Sequence, residues 1–191
     1  MRRAHRTCVL CFALLASPSL TGGEETEVPV QLQVELLVKV AAHDSNLANR
    51  AGERVLAVVL AKAGNVESAQ AASSVTTALK RKTQVAGIPL VVEGAQFSKA
   101  ADLVSLCKTK HVSIIYVTPG FTDEEIGAIG ASLDGVDVLT ASGVPRYIQN
   151  GIVLGFGMVS GRPKLLFAMG QARRQKVAIE TAVLGLMDVR P

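Results

Sequence analysis

Residues 55–61 read Val-Leu-Ala-Val-Val-Leu-Ala, seven apolar side chains in succession with no polar interruption. Successive side chains of a strand point to opposite faces. A strand apolar on both faces is therefore covered on both, as in a parallel sheet sandwiched between helices. Working outward, Asn65 can cap a helix over residues 66–82. Lys80, Arg81 and Lys82 sit at its end, where cations complement the helix dipole. Residues 88–92 form a second strand, and Ser98 can cap a helix running to Lys110. Val112–Val117 (VSIIYV) is a third strand. Thr122 and Glu125 fit a capping box before a short helix to Leu133, and Val136–Thr140 is a fourth strand. This strand–helix alternation predicts an α/β domain with parallel strands and helical crossovers.

The flanks complete the reading. Residues 30–42 repeat apolar side chains at helical spacing, and residues 43–53 are polar and read as a loop. Near the end, the apolar runs 152–159 and 164–168 flank Ser160-Gly161-Arg162-Pro163. So short a connection requires antiparallel pairing. A last helix is expected over residues 180–189. Arg173, Arg174 and Lys176 belong on a separate turn or loop before it, or face an acidic partner, because three cations in a first turn would oppose the dipole. The expected fold is a three-layer α/β/α domain over residues 24–191, its sheet mostly parallel with a C-terminal antiparallel hairpin.

Residues 1–23 have a different character. Arg2, Arg3 and Arg6 precede the apolar run 8–16 (CVLCFALLA), and small residues follow to Gly23. That order describes a cleaved secretory signal, too short to span a bilayer. It predicts an exported, periplasmic product with no transmembrane helix. The whole chain has 20 Lys+Arg and 16 Asp+Glu; loss of residues 1–23, with three arginines and no acid, leaves 17 against 16. A nearly neutral chain with no Trp and only two Tyr argues against a nucleic-acid partner. Cys107 is then the one remaining cysteine, read as a half-buried helical thiol.

No catalytic grouping emerges. After residue 23 the histidines are His43 and His111, and His111 has no nucleophile or orienting group beside it. His43-Asp44 is the one adjacent pair of good metal ligands, without the second His or cysteine pair a site needs, so both are read as solvated loop side chains. Gly155, Gly157 and Gly161 fall inside the hairpin rather than at a helix start, so they relieve crowding rather than cradle phosphate. No cofactor and no metal are expected, and a non-enzymatic role follows. Two surfaces remain. The carboxyl ends of the strands, with Asn65, Gly94, Thr118 and Gly120, are where open α/β sheets bind small ligands. Residues 146–191 hold seven Lys+Arg and two acids. Arg146, Arg162, Lys164, Arg173, Arg174 and Lys176 could form a basic patch for an acidic protein surface.

Four segments together resemble the YfiR/HmsC-like family of exported bacterial proteins. They are the opening helix 32–42 with the strand from Val55, Ile114-Ile115-Tyr116-Val117-Thr118-Pro119-Gly120, Gly135–Thr140 crossing to Gly151–Leu154, and Lys164–Ala168 with Leu184–Met187. The resemblance implies a single α/β domain and a non-enzymatic regulator. Such a regulator is dimeric and binds the periplasmic part of an inner-membrane diguanylate cyclase, lowering cyclic di-GMP. The sequence departs from the family at His43–Leu47, where an aromatic-Trp-Pro segment is usual, at Gly170 in place of Asn, and in its lone Cys107. The alternative function is a periplasmic small-ligand binding module using the strand-end crevice.

Overall fold

The central strand β1 (Val55–Lys62) has its first six residues buried. Its side chains alternate between two cores. Val55, Ala57 and Val59 join one cluster, and Leu56, Val58 and Leu60 join the other. Each valine or leucine among them contributes roughly 1.5–3 kcal/mol when fully buried, so this strand anchors both faces. The computed structural model describes residues 27–191, and the export signal expected over residues 1–23 lies outside them.

Eight strands form one sheet in the order β2-β3-β1-β4-β5-β6-β7-β8. They are β1, β2 (Gln84–Val85), β3 (Ile88–Phe97), β4 (Val112–Val117), β5 (Leu139–Ser142), β6 (Leu154–Val159), β7 (Arg162–Ala168) and β8 (Asp188–Arg190). Neighbours pair in parallel except β2 with β3 and β6 with β7. Helices α1 (Val30–Ala42) and α3 (Val66–Lys80) send Leu37, Val40, Val75 and Leu79 into one core. Helices α4 (Ala100–Lys110) and α5 (Asp123–Ser132) send Leu103, Ile126 and Ile129 into the other. The three-layer, mostly parallel architecture with its C-terminal hairpin is therefore present.

Local chemistry explains the element starts. Asn65 accepts a hydrogen bond from the Ser68 amide at 2.8 Å, capping α3. Thr122 and Glu125 form a complete capping box at α5. Ser98 does not cap α4: Lys99 holds the cap position, and the Ser98 hydroxyl donates to Asp102 at 2.6 Å. Gly155 lies where a Cβ would stand 2.5 Å from Ile148, so the hairpin glycine answers a packing demand.

Several expectations are corrected. The polar loop after α1 contains the short helix α2 (Leu47–Ala51), because the aliphatic Leu47 and Ala51 reach the core. The second strand extends from residue 92 to Phe97, since all of β1 is available to pair with it, Lys62 opposite Phe97. The fourth strand starts at Leu139 rather than Val136. The expected last helix is only α7 (Thr181–Leu184). Gly185 ends it, Met187 enters the core, and Asp188–Arg190 pair with β7 as β8. Glycine costs a helix about 1 kcal/mol relative to alanine, and an open sheet edge offered the better partner. Arg173 and Arg174 are not on a loop; they close α6 (Met169–Arg174), where cations suit the dipole. Lys176 follows with φ +54°.

Candidate functional site

The strand order reverses between β1 and β4. α3 leaves β1 on one face, and α5 leaves β4 on the other. Doubly wound sheets bind ligands at the carboxyl edge of that junction. Three of the four crevice residues read from sequence meet here, but they close the crevice instead of lining it. Thr118 is fully buried; its hydroxyl donates to the Leu60 carbonyl at 2.9 Å and lies 2.6 Å from the Ser68 hydroxyl. Ser68 in turn accepts from the Lys62 amide at 2.7 Å. The Asn65 amide group fills the space over Gly120, where a Cβ would stand 2.8 Å from it. Both helix N-termini facing the junction are capped by their own side chains. Gly94 is not at a strand end at all. It pairs with Val59 in the middle of β3, because that strand runs three residues further to Phe97.

The rim outside this plug is more open. Lys62 Nζ lies 2.7 Å from Glu125 Oε2, each about one-third exposed or less. The Lys62 hydrogen bond and the Thr122 amide hold the Glu125 carboxyl below its usual range. Lys62 also sits 6.0 Å above the Phe121 ring, and Phe121 packs edge-on against Phe97 at 5.5 Å. Beyond Phe97 a depression of about 210 Å³ opens between the end of β3 and α4. Leu60, Leu103 and Leu106 contribute apolar surface, and Ser98, Lys99 and Asp102 supply polar groups. This arrangement can cover an apolar group while offering both signs of charge. Sequence reading missed Phe97, Lys99 and Leu103 here; the true end of β3 was the signal needed to find them.

The six cations do not form one patch. Arg162 and Lys164 pair with Val159 and Gly157 on a hairpin arm that extends past the carboxyl end of β5, whose last residue Ser142 pairs with Gly155. Arg146 lies on the 3-10 turn Pro145–Asn150, paired with Asp123 at 3.3 Å. Arg173, Arg174 and Lys176 lie at the other end of the sheet. The Arg174 carbonyl accepts from Gly135 and the Gln175 carbonyl from Val138, just before β5 begins. Sequence proximity joined what the return of β7 separates.

His43 and Asp44 also part. His43 Nδ1 contacts Glu180 at 3.2 Å near the surface, whereas the Asp44 side chain is 1% exposed and pairs with Arg50. The expectation of a solvated Asp44 is corrected by this buried pair. Asp44 also accepts from the amides of Asn46 and Ala178, so it ties the loop after α1 to the segment before α7. Arg50 Nη1 lies 3.2 Å from Asp137 Oδ1 without hydrogen-bond alignment.

No family model matches the chain. No curated protein matches it either. Solved structures do. An ABC domain in complex with L-Trp from Streptococcus pneumonia has a TM-score of 0.58 and 13% identity, over 84% of this chain and 61% of that one. A conserved domain protein from Vibrio cholerae O1 biovar El Tor has a TM-score of 0.55 and 16% identity, over 84% and 60%. A substrate binding protein with adhesive properties from Clostridium difficile, in its ligand-free, open form, has a TM-score of 0.52 and 12% identity, over 85% and 60%. The chain thus spans about 60% of the length of these structures, and the likeness is one of fold.

Proposed function

We propose that this protein is an exported, periplasmic, non-enzymatic binding module that holds a small ligand at the carboxyl rim of its sheet. The observation that carries this reading is the depression of about 210 Å³ beside the strand-order reversal, with leucines inside and Lys99, Asp102 and Ser98 at its edge. The fold shared with a substrate binding protein and with a domain holding L-Trp supports it. The ligand that suits these residues is a small solute carrying an apolar group and a charge, such as an amino acid. A thermal-shift screen over amino acids and related metabolites tests it. A ligand should raise the melting temperature, and Lys99→Glu should abolish the shift without lowering the unliganded value, since the Lys99 side chain is 71% exposed. A flat response across the panel overturns the reading.

A second reading, regulation of a membrane signalling enzyme, is favoured by the hairpin arm. Val159 is 57% exposed at its tip, beside Arg162 and Lys164. An apolar tip flanked by cations suits docking on an acidic protein surface. With the diguanylate cyclase that the YfiR/HmsC-like resemblance implies as partner, cells lacking this protein should accumulate cyclic di-GMP. An unchanged level removes this reading and leaves the first untouched.

A further inference from the structure

A second cavity, of about 630 Å³, opens where β7 gives way to α6. β7 runs antiparallel to β6, so this cavity lies at the end of the sheet away from the carboxyl rim. None of the residues around it borders the depression described above. Ile148 and Ala168, both buried, give it an apolar floor. Arg174 of α6 and Arg190 of β8 stand on its wall, and Gln149 and Gln171 add amide groups.

Arg174 is held in place. The Gln171 side chain is buried, and its Nε2 donates to the Gly130 carbonyl at 3.0 Å, which fixes the amide. Gln171 Oε1 then accepts from Arg174 Nε at 3.1 Å and from Nη2. Asp134 lies 3.1 Å from the same Nε. These partners take the side of the guanidinium and leave its Nη1 end toward Gly170. Arg190 meets Asp188 through Nη2, at 3.4 Å. Gly170 is a second, separate sign. A Cβ there would meet nothing closer than 3.5 Å, and its φ is not in the left-handed region, so packing does not require a glycine. Glycine weakens a helix. What the missing side chain leaves is open space beside Arg174 Nη1, 3.6 Å from the Cβ position.

We propose that this cavity binds a small organic anion carrying two or more carboxylates. A guanidinium matches a carboxylate with two parallel hydrogen bonds, and two arginines answer two such groups. The volume exceeds that of an inorganic oxyanion, and the floor of Ile148 and Ala168 suits a carbon body. An arginine already fixed by Gln171 loses little freedom on binding. The site stands apart from the rim site and does not rest on that reading.

Citrate is the probe. Calorimetry at constant ionic strength should show saturable binding with a dissociation constant of roughly millimolar or below, and sodium chloride should show none. The melting temperature should rise with citrate and level off, whereas exclusion of the anion from the surface would raise it without a plateau. Gly170→Asp places a carboxylate against Arg174 from within the chain. It should weaken citrate binding about tenfold or more without lowering the unliganded melting temperature, and Gly170→Ala should retain binding. Arg190→Gln should weaken binding similarly, and it serves should the aspartate variant misfold. Lys99→Glu, at the other site, should leave citrate affinity unchanged, so the two ligand readings fail separately. No saturable binding, binding indifferent to Gly170→Asp and Arg190→Gln, or binding lost in Lys99→Glu overturns the proposal.

Discussion

Asp44 and Arg50 show how much one buried pair can govern. Their side chains are each 1% exposed, and Asp44 also accepts two backbone amides from distant parts of the chain. Burial lowers the Arg50 guanidinium from its ordinary value, and Asp137 counters the shift. Removing one partner of a buried pair strands the other, which costs about 3–5 kcal/mol. Asp44→Ala should therefore reduce unfolding free energy by about that amount in urea titration; a loss under about 1 kcal/mol would show that Arg50 finds water. Cys107 makes the opposite kind of prediction. Burial pushes its thiol up from 9.0 to about 11. The folded state then holds its proton where the unfolded state releases it. Its contribution to stability is full below pH 9 and falls as pH rises from 9 to about 11. The folded protein should resist alkylation at pH 8, and the denatured protein should react promptly.

Among the elements, two of the three capping signals held, Asn65 and the Thr122–Glu125 box, while Ser98 gave way to Lys99; the periodic signals were less accurate. Thr122 satisfies the Glu125 amide, and Glu125 the Thr122 amide, within four consecutive residues. That geometry depends on nothing distant, so it was legible in sequence. Thr122→Ala should cost about 1 kcal/mol, read as a lower midpoint at unchanged slope. Residues 180–189 carry a helical pattern that the fold overrides, because β7 leaves Leu166–Ala168 with an edge to fill. The crevice residues show the same limit. Asn65, Thr118 and Gly120 were found because strand ends were placed closely enough, but no spacing rule says that the Asn65 side chain covers Gly120 or that the Thr118 hydroxyl meets Ser68. Thr118→Val should cost about 1–3 kcal/mol by leaving Ser68 short of a buried partner. If instead it leaves stability intact and alters ligand binding, the plug is itself a site.

For the whole molecule, the two cores meet only through the sheet. Each holds one tyrosine: Tyr116 lies in the cluster with α1 and α3, and Tyr147 in the one with α4 and α5. With no Trp in the chain, tyrosine emission reports each core separately in the Tyr147→Phe and Tyr116→Phe variants. Because β1 contributes to both cores, the emission and circular dichroism transitions of each variant should coincide in urea. Separate midpoints would mean that the faces unfold independently.

The sequence by itself determined the layered α/β class, the parallel core strands, the hairpin and two of the helix caps. These follow from side-chain alternation and from bonds made within a few residues. Only the tertiary structure decided that Gly94 lies mid-strand and that the basic residues part to opposite ends of the sheet. The same holds for the burial of Asp44 with Arg50 and for the last segment becoming a strand. Each of these depends on which distant backbone or side chain arrives beside the residue, and pairing across the sheet is set by the closure of the whole chain rather than by any local pattern.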